Sequence, residues 1–189
     1  MRTSFHLLGG LLLATACSQA PETTPTMDPL AENPLLQPST LPFKAPAFDK
    51  ITDAHFRPAI LEGMKRHLAE IDAIANNPEA PTFENTIVAM EKSGQDLNRA
   101  SSVFYNLTGS ATNDTLQAIK ADLAPKLAAH QDAITLNDKL FARIKAVYDQ
   151  RAAMAMEPVD ARLLERYYTR FVRAGALLDA AGKEQWKKL

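Results

Sequence analysis

At 189 residues the chain is sized for one medium domain. Apolar residues make up 46% and charged residues 23%, and the net charge is −1 with both signs interspersed, so no basic footprint for nucleic acid exists. Cys17 is the sole cysteine and the seven glycines form no phosphate-cradling loop, which excludes an internal disulfide, a thiolate metal cluster and a Gly-rich nucleotide site.

Residues 1–16 read as a signal peptide. Arg2 gives a thin positive start, and Phe5 to Leu13 is an apolar run too short for the roughly 20 residues that cross a bilayer. The run ends Leu13-Ala14-Thr15-Ala16-Cys17, small residues directly before a lone cysteine. This resembles a bacterial lipoprotein box, with Ala14 at the −3 position where Leu is usual. On that reading Cys17 is acylated, the leader is removed, and the chain is an exported membrane lipoprotein facing the periplasm. The competing reading is an ordinary secretory leader with an incidental cysteine. Each buried CH₂ adds ~0.8 kcal/mol, so several acyl chains together give durable anchoring. Residues 17–40 then form a tether: Pro21, Pro25, Pro29, Pro34 and Pro38 punctuate a run rich in Ser, Thr and Ala, and such density favours extended, solvated chain. Leu36, Leu41, Phe43 and Phe48 return between prolines, which predicts a segment lying extended along the domain.

Residues 41–189 form the folded body; from about Thr52 onward the apolar spacing is helical with no credible strand, so the expected fold is an all-α, multi-helix antiparallel bundle. Ile60, Met64, Leu68, Ile71 and Ile74 mark a first helix, which Asn76-Asn77-Pro78 stops. Thr82 is an N-cap for a second, whose stripe runs Phe83, Ile87, Met90, Gly94, Leu97, Ser101, Phe104, Leu107 and ends at Gly109. Small residues at Gly94 and Ser101 predict a close helix approach there. Asn113 or Asp114 caps a third, with Leu116, Ile119, Leu123, Leu127 and Ile134 on one face and a kink or restart at Pro125. Asn137-Asp138 opens a shorter helix carrying Phe141, Ile144 and Tyr148. Pro158 suits the first turn of a fifth, striped by Leu163, Leu164, Tyr167, Phe171 and Ala174. Asp179 caps a sixth through Trp186. With no C-cap glycine or trailing proline near Leu189, that helix reads as the cut-off opening of a longer one, although a complete domain can also end this way because termini fray.

The search for chemistry yields no catalytic and no metal residue. A zinc-peptidase helix places two His four apart with Glu between them, whereas His6, His55, His67 and His130 offer no such pair. His130 falls on the apolar stripe of the third helix and reads as a core or interface histidine; His55 and His67 sit among charged neighbours and read as solvated. No Gly-x-Ser-x-Gly elbow exists. Glu84 and Glu91 share a face but lie roughly 10 Å apart along the axis, a wet surface rather than an acid–base pair. The Arg162, Arg166, Arg170, Arg173 stripe could receive an acidic partner, although such a stripe beside Asp160 and Glu165 is more often a solvated face.

A family resemblance rests on several stretches. They are Asn33-Pro34-Leu35-Leu36, Pro42-Phe43-Lys44-Ala45-Pro46-Ala47-Phe48-Asp49-Lys50-Ile51, Phe56-Arg57-Pro58-Ala59, and Ile71-Asp72-Ala73-Ile74-Ala75-Asn76-Asn77-Pro78. The most specific is Ala80-Pro81-Thr82-Phe83-Glu84-Asn85-Thr86-Ile87-Val88-Ala89-Met90-Glu91, followed by Ala124-Pro125-Lys126-Leu127-Ala128-Ala129-His130 and Leu163-Leu164-Glu165-Arg166-Tyr167. These resemble the N-terminal portion of bacterial peptidyl-dipeptidases of the thimet oligopeptidase and oligopeptidase A family of zinc metallopeptidases. The resemblance implies a helical N-terminal lobe that helps wall a channel admitting short peptides, in enzymes that release dipeptides from free C-termini. It also implies a zinc-bearing His-Glu-x-x-His helix several hundred residues further on, as a missing C-terminal catalytic portion, so no catalytic or metal residue is carried over and this chain alone is expected to be inactive. The alternative is a free-standing helical lipoprotein acting as a scaffold or interaction module.

Overall fold

The computed structural model describes residues 30–186; Cys17 and the leader lie outside the described residues. Among the described residues every regular element is helical. Helix α1 (Asp53–Ala75) is the shared spine, packing against α3 (Gln95–Ser110), α4 (Asp114–Thr135) and α5 (Asp138–Asp149). A π-helical turn (Phe83–Val88) runs directly into the short α2 (Ala89–Lys92), while α6 (Pro158–Arg173) packs on α5 and α7 (Ala180–Trp186) follows it.

Most boundaries follow the capping chemistry of the sequence. The Asn113 side chain accepts the Leu116 N–H at 2.8 Å, Asn137 accepts that of Leu140 at 3.0 Å, and Asp179 accepts that of Gly182 at 2.7 Å. Pro158 occupies the first turn of α6, where its missing N–H costs nothing. Thr82 and Asn85 exchange bonds, the Asn85 N–H donating to Oγ1 at 3.0 Å and the Thr82 N–H to Oδ1 at 2.8 Å.

Three expectations are corrected. The stripe from Phe83 to Leu107 is not one helix: it breaks at Ser93 and Gly94, and Gly94 takes the left-handed φ of 70°. Gly94 therefore turns the chain, and it does so against α1, where a Cβ on it would stand 3.0 Å from the His67 ring. A closer approach lies at Gly63 of α1, where a Cβ would sit 2.8 Å from the Leu97 Cα. At Pro125 α4 does not restart, one of the two outcomes expected there, but runs through as a single helix. Pro125 and Ala121 are both exposed, so the carbonyl robbed of its donor lies on the wet side of the helix. Finally, the stretch assigned to the tether is packed at its end: Asn33, Leu35 and Leu36 are buried, and the Leu35 carbonyl accepts from Arg99 Nε at 2.9 Å.

The apolar stripes condense into two clusters. Phe56, Ile60 and Met64 of α1 join Leu35, Leu36, Phe104, Leu116 and Leu123 in one. Ile71 and Ala75, two turns further along α1, join Ile87, Ile134, Phe141, Ile144, Leu164 and Phe171 in the other. Leu97 and Leu127 flank the first cluster, Leu68 and Tyr167 the second.

Candidate functional site

A polar seam sits where the two clusters meet. On α1 it falls at His67, between Met64 of one cluster and Ile71 of the other; on α4 it falls at His130, between Leu127 and Ile134. The rings lie 5.1 Å apart, and His67 Nδ1 is 3.1 Å from His130 Nε2. The far nitrogen of His67, Nε2, is 3.2 Å from Ser93 Oγ, whose hydroxyl donates to the Met90 carbonyl at 2.7 Å. The stripe reading of His130 as an interior histidine holds. That of His67 as solvated does not: it is half-buried, because Gly94 turns the chain directly against its ring, 3.0 Å from where a Cβ would stand. Glu70 Oε2 fixes this turn by accepting the Gly94 N–H at 2.6 Å. His55 is also engaged, its Nδ1 accepting the Thr52 N–H at 3.0 Å at the start of α1.

Proton accounting assigns the tautomers. Ser93 spends its proton on the Met90 carbonyl, so Oγ accepts from His67 Nε2–H. His67 Nδ1 is then an acceptor, and His130 Nε2–H donates to it. This leaves only the buried His130 Nδ1 without a partner, an acceptor rather than a costlier orphan donor. Both rings are therefore neutral. Burial lowers the His67 pKa against the opposing pull of Glu70, and burial followed by the neighbouring His67 brings His130 down to about 4.

That direction of donation decides the chemistry. A serine nucleophile needs its imidazole to accept the hydroxyl proton, and here the imidazole donates. The seam is a structural relay, not a catalytic dyad. As a zinc site it falls short too: two imidazoles converge where about three protein ligands are required, and no group of three His, Cys, Asp or Glu side chains converges among the described residues.

The carboxylates separate as the sequence requires. Glu84 pairs with Lys92 at 3.2 Å on the surface, while Glu91 accepts the Tyr167 hydroxyl at 2.5 Å and burial raises the phenol's pKa. Of the arginine stripe on α6, Arg162 pairs with Glu165 at 2.5 Å, and Arg166, Arg170 and Arg173 are exposed. What the stripe reading missed is Arg143, buried on the apolar side of α5. Its Nη1 donates to the carbonyls of Asn77 and Glu79 at 2.8 and 3.0 Å, and its Nη2 to Asn85 Oδ1 at 2.9 Å. Arg143 thereby clamps the loop that leads into the π-helical turn. The signal was a cation inside the Phe141, Ile144 stripe.

A dipeptidyl carboxypeptidase of Salmonella typhimurium (strain LT2) is 44% identical over 160 residues, 85% of this chain and 24% of that protein. One of Escherichia coli (strain K12) is 46% identical over 157 residues, 83% of this chain and 23% of that protein. No family model matches the chain. The chain spans about a quarter of the length of the curated relatives it matches. Over more than four fifths of its own length, then, the chain is homologous to these two dipeptidyl carboxypeptidases.

Proposed function

We propose that the chain serves as the helical lobe of a lipid-anchored zinc dipeptidyl carboxypeptidase, and that it acts on peptides only together with a catalytic portion supplied by further sequence. The observation that carries this reading is the 44% identity over 85% of the chain to a protein of that name, set beside a histidine content with no His-Glu-x-x-His pair. The lobe contributes a rigid helical wall, and the zinc, general base and peptide-cleaving chemistry belong to the other portion. Short peptides with free C-termini are the substrate class, released as dipeptides. Membrane attachment runs through Cys17, and no helix among the described residues is long and apolar enough to cross a membrane.

Reconstitution tests the proposal. The purified chain alone releases no dipeptides and binds no stoichiometric zinc; mixed with the catalytic portion of a relative lacking its own matching lobe, it restores dipeptide release. Hydrolysis by the chain alone refutes the division of labour, and failure to restore activity favours a free-standing scaffold. Anchoring is tested separately. Cys17→Ser moves the protein from the membrane to the soluble fraction, and unchanged membrane fractionation sinks the lipoprotein reading.

A further inference from the structure

One face of α6 concentrates positive charge along a continuous groove. A groove of about 750 Å³ is lined by Arg162, Arg166, Arg170 and Arg173. It runs on into a second depression that shares Arg166 and Arg170 and adds Glu91 and Tyr167. At its other end it shares Arg162 and Glu165 with a third depression that reaches Arg151. The groove's carboxylates are already engaged, Glu165 by Arg162 and Glu91 by the Tyr167 hydroxyl. Among the described residues the side chains of Arg166 and Arg173 make no ion pair or hydrogen bond, and that of Arg170 lies 6.0 Å from the centre of the Tyr167 ring. Between Glu165 and Asp179 the chain carries no carboxylate.

Helix stability does not explain this arrangement. Arg170 and Arg173 lie in the last turn, where the helix dipole favours cations. Arg166 does not, and the pairs Arg162 with Arg166 and Arg166 with Arg170 stand four apart, where like charges repel. Guanidinium is also the group whose planar fork matches carboxylate oxygens two at a time. From Arg162 to Arg173 the row spans about 16 Å of helix axis, the reach of about five residues of extended chain.

We propose that this groove docks an extended, carboxylate-rich polypeptide segment, with Arg166, Arg170 and Arg173 as its anchors. The proposal concerns the surface of this chain itself and stands whether or not the lobe works within a peptidase. The probe is a fluorescein-labelled deca-glutamate peptide, titrated by anisotropy against the full chain carrying Cys17→Ser, so that no acyl group contributes. The expected result is saturable binding that weakens as salt is raised, absent for deca-lysine and for a Gly-Ser peptide of equal length. The double variant Arg166→Gln, Arg170→Gln weakens binding about tenfold, in line with two exposed charge pairs lost. A control pair at exposed lysines elsewhere, Lys50→Gln with Lys120→Gln, removes the same charge and leaves affinity within about twofold. Circular dichroism of each variant confirms that α6 is intact. Absence of deca-glutamate binding, or equal loss in both double variants, overturns the proposal. So does capture by phosphatidylglycerol vesicles, but not phosphatidylcholine vesicles, with no peptide binding, which would make the face a membrane-surface patch.

Discussion

Replacing His130 with Leu isolates what the polar seam costs. In the folded chain burial and then His67 hold His130 at about 4, well below its ordinary 6.5. The unfolded chain therefore binds this proton more readily between those values, so stability falls as the pH drops from about 6.5 toward 4. The whole difference corresponds to about 3 kcal/mol, and at pH 5 about 2 kcal/mol of it has been lost. Leucine suits the stripe between Leu127 and Ile134, and it removes the buried orphan acceptor Nδ1. His67 loses its donor, but being half-buried it can turn Nδ1 to water. At pH 7.5 the variant should lie within about 1 kcal/mol of the parent, and at pH 5 it should be the more stable by about 2 kcal/mol relative to that offset. Urea unfolding followed by circular dichroism at the two pH values measures both numbers. Carboxylates with lowered pKa, such as Glu62 and Asp122, titrate alike in both proteins and cancel in the difference. Equal loss of stability in parent and variant between pH 7.5 and 5 would refute the assignment of a buried neutral pair.

Arg143→Met should cost about 3 kcal/mol, because the Asn77 and Glu79 carbonyls and Asn85 Oδ1 lose one shared donor group together. A drop in the urea midpoint corresponding to under about 1 kcal/mol would show that the loop finds other partners. Gly63→Ala sets two effects against each other: about 1 kcal/mol of helix propensity gained, against a Cβ placed 2.8 Å from the Leu97 Cα and 2.9 Å from its N. The clash is with backbone, which cannot swing aside, so net destabilisation of about 1–2 kcal/mol is expected in the same assay. A stabilised variant would mean that α1 and α3 can separate freely.

Periodicity made the helices legible because each presents one apolar stripe to one of two clusters, the case in which spacing and burial coincide. Ile60, Met64 and Ile71 are buried as their three- and four-residue intervals require, and so are Leu116, Leu123 and Ile134. Capping side chains fixed most ends for a local reason: Asn113, Asn137 and Asp179 each bond a backbone N–H within three residues. The break at Gly94 was not legible, since the apolar stripe continues across it from Met90 to Leu97. What fixes that turn is tertiary. Glu70 and His67, more than twenty residues earlier, supply the hydrogen bond and the ring surface that hold the left-handed glycine.

The same distinction separates the histidines from the arginines. His130 was readable as interior because its own helix places it there, but its partner was not, because charged neighbours in sequence say nothing about what a turn from another helix lays over a ring. Lys65 and Arg66 beside His67 face away and bind Glu62 and Asp96. The imidazole between them and Leu68 faces inward. A neutral relay at this position joins two apolar clusters that α1 and α4 both traverse, and it does so with one unsatisfied atom. Its donors and acceptors are consumed in a single direction, from His130 through His67 and Ser93 to the Met90 carbonyl. A site built this way fixes the packing of α1, α2 and α4 against one another and has no proton to lend. Among the described residues unpaired charge lies instead at the surface, on the arginines of α6.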